Sequence, residues 1–449
     1  MQFLRSDLRY IFTNRKVQKM YLPVLGEQAM TTMVGIIATI MVGHAGSVAI
    51  SAVGVVSSMN MVILNTIISL CSGAAAVTAQ FLGADQRRRA EETVGQFLSA
   101  MTIMSAAICL FLLLFARQII SFLFGAAEQA VLDGARIYLY ASAISLPFNC
   151  FYAVMSAVLR GCGNNRTPMM IALLVNVINT GICAVTIYFL QLGVVGAAIG
   201  LVVAKVVGAV VMFILMRGHS FSLKVRRFFP ISLRDLKPIL TIGLPMGFDT
   251  LLFNGGKLLV QVFMAGMGTH VIAANSVAFN LIAFVEIPGN AMTLLTVTLT
   301  GFSVGAKDFE QARADVRRTS IACALIQTAA CIPMYIFMPQ IAGLFSDELP
   351  VLELAIRVSR EFMIITPFGW AVAFNIPAGL RAAGDVRYTV SCSLIIMWVC
   401  RVLFSWILGV LLHMGLPGIW YAMYMDWVAR TVCFVTRFCS NRWENRGVT

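Results

Sequence analysis

Residues Gly243–Phe253 read GLPMGFDTLLF and place an aspartate, Asp249, in a strongly apolar run that continues to about Gly266. The run is long enough to cross a bilayer as a helix. An ionised carboxylate inside a membrane costs at least about 2.5 kcal/mol, so it is expected to have a partner or a function. The stretch therefore predicts a membrane-spanning helix that carries a functional or paired acid.

The composition of the whole chain indicates a protein that crosses the membrane many times. Its 449 residues are 59% hydrophobic and 12% charged, and the mean hydropathy is +0.86. Apolar windows of about 20 residues, the length that a spanning helix needs, start near Lys19, Ser47, Thr93, Val131, Thr167, Gly193, Leu236, His270, Thr319, Leu352, Tyr388 and Leu416. These windows lack the alternation of a membrane β-barrel. They predict an all-α membrane fold with twelve transmembrane helices.

The distribution of positive charge predicts the orientation of the chain. The chain has 33 Lys and Arg residues and a formal net charge of +13. If the N-terminus is cytoplasmic, only four of them fall in outer loops: Arg117, Arg136, Arg357 and Arg360. The positive-inside rule then predicts a multi-pass protein of the cytoplasmic (inner) membrane with both termini in the cytoplasm. The basic residues follow topology, so no nucleic-acid partner is expected.

The sequence offers no motif for catalysis or metal binding. Its eleven cysteines form no CxxC pair, and no histidines are spaced for zinc. Walker A, HExxH and GxSxG motifs are absent from the sequence. We therefore expect no enzyme activity, no resident metal and no cofactor.

An internal repeat with a constant offset divides the chain into two halves. Pro23 aligns with Pro245, and at the same offset Gly83 aligns with Gly305. Further matches at this offset pair Ala90 with Ala312, Gly193 with Gly415 and Gly196 with Gly418, while Arg160 matches Arg381 one residue out of register. Each half carries six spans, an even number, so a pseudo-two-fold axis along the membrane normal relates the halves. The repeat predicts six-helix lobes at residues 1–227 and 228–449, with the substrate path between them.

The repeat also pairs two intramembrane acids. Asp249 aligns with Glu27, and each lies four residues after a proline. A carboxylate whose exposure changes between two states can bind a proton in one and release it in the other, as a coupled carrier requires. Alternatively, each acid caps or pairs with a neighbouring helix. Asp249 and Glu27 are therefore candidate sites for a coupling ion.

Glu286, in mid-span before Pro288, is a third candidate coupling site. The alternative is an ion pair with Lys257 on the preceding span. Lys257 lies eight residues from Asp249, about 12 Å along a helix, so those two are not expected to pair. Asp426 and Arg430 are four residues apart on the last span, which predicts a structural ion pair.

Polar and aromatic residues give further candidates. Asn176 and Asn179 share one helix face and are candidates for binding the coupling ion or the substrate, with interhelical hydrogen bonding as the alternative. Aromatic residues also follow the equivalent prolines of the two halves. Four of them could line a cavity for planar or cationic ligands, or could face lipid: Phe148, Tyr152, Phe368 and Trp370.

The order of several short motifs resembles the multidrug and toxic compound extrusion (MATE) family. The motifs are LPVLGEQ, AQFLGADQRRRAEE, LRGCGNNRTPMMI, VNVIN, LGVVGAAIG, IGLP, MGTHVIAAN, LRAAGDVR and GIWYAMYMDWVAR. The resemblance implies two six-helix lobes, a rocker-switch cycle, and export of organic, often cationic, compounds in exchange for inward H⁺ or Na⁺.

One residue departs from the family pattern. The family commonly has an aspartate in the first span, where this chain has Ala38 in the run GIIATIMVG. The family's fifth-helix asparagines are kept as Asn176 and Asn179. The resemblance therefore implies that coupling rests on Glu27, Asp249 or Glu286.

These observations predict a monomeric antiporter whose partners are small organic molecules, mainly amphipathic cations, and the lipid bilayer. One alternative is a flippase for lipids or lipid-linked saccharides, which would favour a cationic cavity. The other is an assembly factor that transports nothing. The scarcity of Lys and Arg in the first-half spans argues against the flippase.

Overall fold

The computed structural model describes residues 14–44, 47–124, 129–218, 223, 225, 232–345, 348–444 and 446–447. These residues form a series of long helices. The first half contains α1 Arg15–His44, α2 Ser47–Gly83, α3 Arg87–Phe124, α4 Gln129–Gly161, α5 Arg166–Phe189 and α6 Gly193–Arg217. The second half contains α7 Leu233–Ala265, α8 Thr269–Gly305, α9 Phe309–Ile336, α10 Leu349–Ala382, α11 Val386–Leu411 and α12 Gly415–Cys439.

The helices confirm the all-α membrane fold. Within the described residues, ten of them are long and apolar enough to cross a membrane. The other two are α1 and α12. Helix α12 carries three charged residues, Asp426, Arg430 and Arg437, along its length. A short helix, Met338–Ala342, lies between α9 and α10.

The chain forms two compact units. The first, called the C-terminal unit, contains the described residues of Met1–Gln28, Ala79–Asp85 and Leu244–Thr449. The second, called the N-terminal unit, contains the described residues of Ala29–Thr78 and Gln86–Gly243. The start of α1 and the end of α2 thus belong to the C-terminal unit, and the start of α7 belongs to the N-terminal unit. The lobe boundaries at 1–227 and 228–449 stay a sequence prediction.

An aromatic core holds the C-terminal unit together. Phe362 of α10 packs edge-on against Trp420 and Trp427 of α12, with ring centroids 5.7 and 5.4 Å apart. All three side chains are buried. Such edge-to-face pairs add about 0.5–1.5 kcal/mol beyond the burial of their area, so they fix α12 against α10.

In the N-terminal unit, α4 packs between α3 and α6. Small residues permit close contact between α6 and α5. A Cβ on Gly208 would meet the Val175 side chain at 2.5 Å, and one on Gly200 would meet the Cys183 sulfur at 2.5 Å. Close backbone approach at small residues is the usual way in which membrane helices associate.

Prolines and π-helical turns interrupt the regular helices in both halves. Pro147 lies within α4 and Pro367 within α10, and residues 371–375 of α10 are π-helical. The ends of α5 and α11 are also π-helical, at Val185–Phe189 and Ser405–Leu411, which overlap when the repeat is aligned. Wider turns of this kind release backbone groups and often occur at functional places.

Two glycines of the repeat make matching contacts inside the C-terminal unit. Gly83, at the end of α2, packs on the carbonyl of Phe302, and Gly305, at the end of α8, packs on the carbonyl of Gln80. Gln80 and Phe302 are related by the same repeat offset as the two glycines. A Cβ on either glycine would overlap the facing backbone. The repeat therefore extends to the contact between these helix ends.

Candidate functional site

Asp249 is held in an ion pair within the C-terminal unit. Its Oδ2 lies 3.6 Å from Nη1 of Arg381 near the end of α10, and the two side chains are 16% and 18% exposed, respectively. The acid of the GLPMGFDTLLF stretch thus has a partner, and the partner is Arg381 rather than Lys257. Because both side chains keep some exposure, a proton or cation can compete for the carboxylate.

Helix α7 carries further charged and aromatic side chains on the same face as Asp249. Asp249, Phe253 and Lys257 follow one another at four-residue spacing, which places them on one face of the helix. The Lys257 Nζ lies 5.0 Å from the centroid of the Phe253 ring, and the Cζ of Arg401 lies 5.6 Å from the same centroid. Cations within about 6 Å of a ring face are attracted by its electron density.

Asp426 and Arg430 form the structural ion pair that their spacing predicts. Arg430 Nε donates to both carboxylate oxygens of Asp426, at 3.0 and 3.1 Å. Its Nη1 and Nη2 donate to the hydroxyl and carbonyl oxygens of Ser393, at 2.9 and 3.1 Å. Asp426 is 0% exposed and Arg430 is 4% exposed. Every side-chain nitrogen of Arg430 is therefore used within the fold.

Glu286 lies half-buried on α8, near two cations. It interacts electrostatically with Lys257 and Arg401 but makes no direct ion pair with either of them among the described residues. Two residues further along α8, the carbonyl of Pro288 accepts a hydrogen bond from the Tyr21 hydroxyl at 3.4 Å. Glu286 therefore belongs to the same charged region as Asp249, and its role in coupling stays a prediction.

The candidate asparagines lie on α5 in the N-terminal unit. Asn176 and Asn179 are both half-buried. Asn179 Oδ1 accepts a weak hydrogen bond from the Cys183 thiol at 3.8 Å, and it faces the backbone of α6 at Gly200. These contacts place Asn179 where two helices meet, as interhelical packing requires.

The four candidate aromatic residues have different surroundings. Phe148 is 36% exposed, and the Tyr152 hydroxyl donates to the Pro168 carbonyl at 3.3 Å. Phe368 is 76% exposed and lines an open groove of about 410 Å³ with Tyr335, Met363 and other residues of α9 and α10. Trp370, in contrast, is 6% exposed and packs in the core. It does not line that groove.

The remaining candidates lie on α1. Glu27 is half-buried and belongs to the C-terminal unit. It takes part in contacts with its surroundings. The side chain of Ala38, where the family pattern has an acid, lies outside the described residues.

Sequence reasoning missed a buried polar network around Asn375 in the π-helical part of α10. Asn375 Nδ2 donates to the hydroxyls of Thr319 and Ser320 at 3.2 and 3.0 Å, and its Oδ1 accepts from Thr296 at 2.9 Å. Asn375 is 0% exposed. An asparagine shortly after a helix proline was the available signal.

Among the described residues, no cluster of His, Cys, Asp or Glu could hold a metal ion.

Comparison with known proteins agrees with the repeat in the fold. The MatE family model matches residues 23–185 and again residues 245–407. Both ends of the match shift by the offset that relates Pro23 to Pro245. The chain belongs to the MatE family.

Relatives and solved structures cover nearly the whole chain of this MatE protein. It is 25% identical to the uncharacterized transporter YisQ of Bacillus subtilis over 95% of this chain and 94% of the relative. It is 24% identical to the probable multidrug resistance protein NorM of Thermotoga maritima over 97% of this chain and 94% of the relative. These matches make the chain a multi-pass membrane transporter, and they favour the exporter over the flippase.

The fold resembles several solved transporters. An outward-facing multidrug resistance MATE family transporter gives a TM-score of 0.88 at 22% identity, with 98% of both chains covered. A second transporter, from Pyrococcus furiosus, gives a TM-score of 0.83 at 22% identity and covers 98% of this chain and 96% of its own. That transporter is described as having a binding pocket of reverse polarity. These likenesses confirm the two-repeat helical fold.

Proposed function

We propose that this MatE protein is a secondary antiporter that exports small amphipathic organic compounds, often cations, in exchange for inward H⁺ or Na⁺. The observation that carries the proposal is the Asp249–Arg381 ion pair, an intramembrane carboxylate held by a partly exposed arginine. Support for drug export comes from the relatives named as probable multidrug resistance proteins. The protein acts as a monomer in the inner membrane, with both termini in the cytoplasm.

In the proposed cycle, the coupling ion and Arg381 compete for the carboxylate of Asp249. A proton or Na⁺ that binds Asp249 weakens its attraction to Arg381 at 3.6 Å. An ion pair in a region of low dielectric is strong, so losing it shifts the balance between two arrangements of α7 and α10. Rocker-switch alternating access would use that shift to exchange ion for substrate.

The test is transport by inside-out membrane vesicles that contain the full chain. Uptake of ethidium, a fluorescent organic cation, is compared under an imposed pH gradient and under an imposed Na⁺ gradient. We expect one gradient to drive uptake in the native protein and neither to drive it in Asp249→Asn, because the amide cannot exchange a proton or bind Na⁺ as a carboxylate does.

The matched control is Asp133→Asn, which makes the same chemical change at a surface pair with Arg136, where the Asp133 side chain is 54% exposed. We expect this variant to transport as the native protein does. Gradient-driven uptake that persists in well-folded Asp249→Asn would overturn the role of Asp249. Uptake by the native protein under neither gradient would overturn antiport.

A further inference from the structure

The charged region of the C-terminal unit contains more positive than negative charge. Its members are Asp249, Lys257, Glu286, Arg381, Arg401, Asp426 and Arg430. Two of its arginines are matched by acids, as Asp249 pairs with Arg381 and Asp426 pairs with Arg430. The remaining cations are Lys257 and Arg401, and the remaining acid is Glu286. If all these groups are ionised, one positive charge is left over.

Arg401 is the unusual member of this region. It is 9% exposed, yet it makes no hydrogen bond or ion pair with any residue that the structure describes. A buried arginine normally uses its donors within the fold, as Arg430 does with Asp426 and Ser393. Leaving a buried charge without a direct partner is costly, so such a residue within a membrane protein indicates a ligand site.

Arg401 is largely buried, but its guanidinium is not fully sealed from the protein surface. The fully sealed side-chain nitrogens without a partner include Nε of Arg381 and of Arg360, but no atom of Arg401. Lys257 is exposed and lies against the same Phe253 ring as Arg401. An anion could therefore reach both cations from the side on which Lys257 is exposed.

The surroundings indicate what kind of anion fits. A carboxylate matches the planar fork of a guanidinium and can accept two parallel hydrogen bonds from it. The Phe253 ring, which is half-buried, offers an apolar surface beside the charge. One negative charge balances the single excess positive charge of the region.

We propose that Arg401 and Lys257 bind the carboxylate of an amphipathic organic substrate, whose apolar part packs against Phe253. The site then admits carboxylates and zwitterions in addition to simple cations. This inference rests on the proposed export function and names the substrate class of the C-terminal unit.

The experiment uses a matched pair of fluorescent probes, dansylglycine and its methyl ester, which differ in the carboxylate. Binding to the purified, detergent-solubilised full chain is measured by fluorescence without any gradient. Hydrogen bonds to charged groups are among the stronger contacts in proteins, so we expect dansylglycine to bind roughly 10- to 100-fold more tightly than the ester.

Substitutions assign the preference to the two cations. We expect Arg401→Gln to bring the two probes to nearly equal affinity, and Arg401→Lys to retain part of the difference because the charge stays while the planar fork is lost. Lys257→Gln should reduce the difference as well. The control is Arg442→Gln, which removes an exposed arginine after the end of α12 and should leave both affinities unchanged.

Thermal unfolding shows whether each variant is folded. If Arg401→Gln does not fold, Arg401→Lys and Lys257→Gln provide the same comparison. Equal affinity of the two probes for the native protein would overturn the proposal, as would a folded Arg401→Gln that still prefers dansylglycine. Displacement of dansylglycine by phosphatidylglycerol but not by acetate would overturn it in favour of a lipid site.

This experiment can fail independently of the proposed function. Probe binding is measured at equilibrium, so it does not depend on ion coupling. Vesicles that transport ethidium under a gradient while the native protein fails to distinguish the probes would support antiport and reject the carboxylate site. The opposite pair of results would reject antiport and keep the site.

Discussion

The two halves of the chain share a backbone plan but differ in the chemistry of their interiors. At the repeat offset, which both ends of the family match share, Arg401 corresponds to Asn179 and Arg430 corresponds to Gly208. In the second half these positions carry charged side chains within α11 and α12. In the first half one position carries an amide and the other carries no side chain.

The difference changes what each position does. Gly208 lets α6 approach Val175 of α5 closely, whereas Arg430 pairs with Asp426 on its own helix and joins α12 to Ser393 of α11. Packing of small residues costs no desolvation of charge, while an ion pair does. A repeated fold can therefore keep its helix positions while one half uses charged side chains where the other half uses small or neutral ones. The comparison predicts that removing charges from the second half has larger effects than removing polar groups from the first.

The largest expected effect on stability is that of Asp426→Ala. The substitution leaves Arg430 buried without its carboxylate, and breaking one partner of a buried pair typically costs about 3–5 kcal/mol. The measurement is equilibrium unfolding of purified protein in mixed micelles. The double variant Asp426→Ala/Arg430→Met should recover most of the loss, because it removes the orphaned charge. A loss under about 1 kcal/mol in the single variant, well below that range, would mean that charge is no more important in the second half than in the first.

The next effect tests where the two halves are alike. Gly83→Ala and Gly305→Ala each place a Cβ against a facing carbonyl, and overpacking of this kind typically costs about 1–3 kcal/mol. Because the two contacts are related by the repeat, we expect equal losses in the same unfolding assay. Gly181→Ala is the control, since a Cβ there meets nothing within 4 Å. Clearly unequal losses would show that the repeat does not extend to the energetics of this contact.

The sequence was sufficient to predict the helices because the signals for them are local. The predicted starts at Ser47 and Gly193 coincide with the observed starts of α2 and α6. The predicted start near Thr319 was late, because α9 begins at Phe309, before the apolar window. There the Asp308 side chain accepts a hydrogen bond from the Gln311 backbone and caps the helix. Hydropathy reports the membrane-embedded part, and helices continue past it.

The site was predicted less completely because its contacts are not local. Spacing along one helix was enough to predict the Asp426–Arg430 pair. Asp249 lies on α7 and its partner Arg381 lies on α10, and no spacing rule identifies which side chains of two distant helices meet. Trp370 and Phe368 illustrate the same limit. They are two positions apart and point to nearly opposite sides of α10, so Phe368 is 76% exposed and Trp370 only 6%.

The smallest expected effect belongs to the first half and tests an uncharged hydrogen bond between two of its helices. Asn60 Nδ2 donates to the Ser142 hydroxyl at 2.7 Å, joining α2 to α4 within the N-terminal unit. Hydrogen bonds between membrane helices average about 0.6 kcal/mol in double-mutant cycles. A cycle with Asn60→Ala, Ser142→Ala and the double variant, measured by unfolding in mixed micelles, should give a coupling energy of that size. A coupling energy that approached the loss in Asp426→Ala would mean that the first half depends on its polar contacts as strongly as the second half depends on its ion pairs.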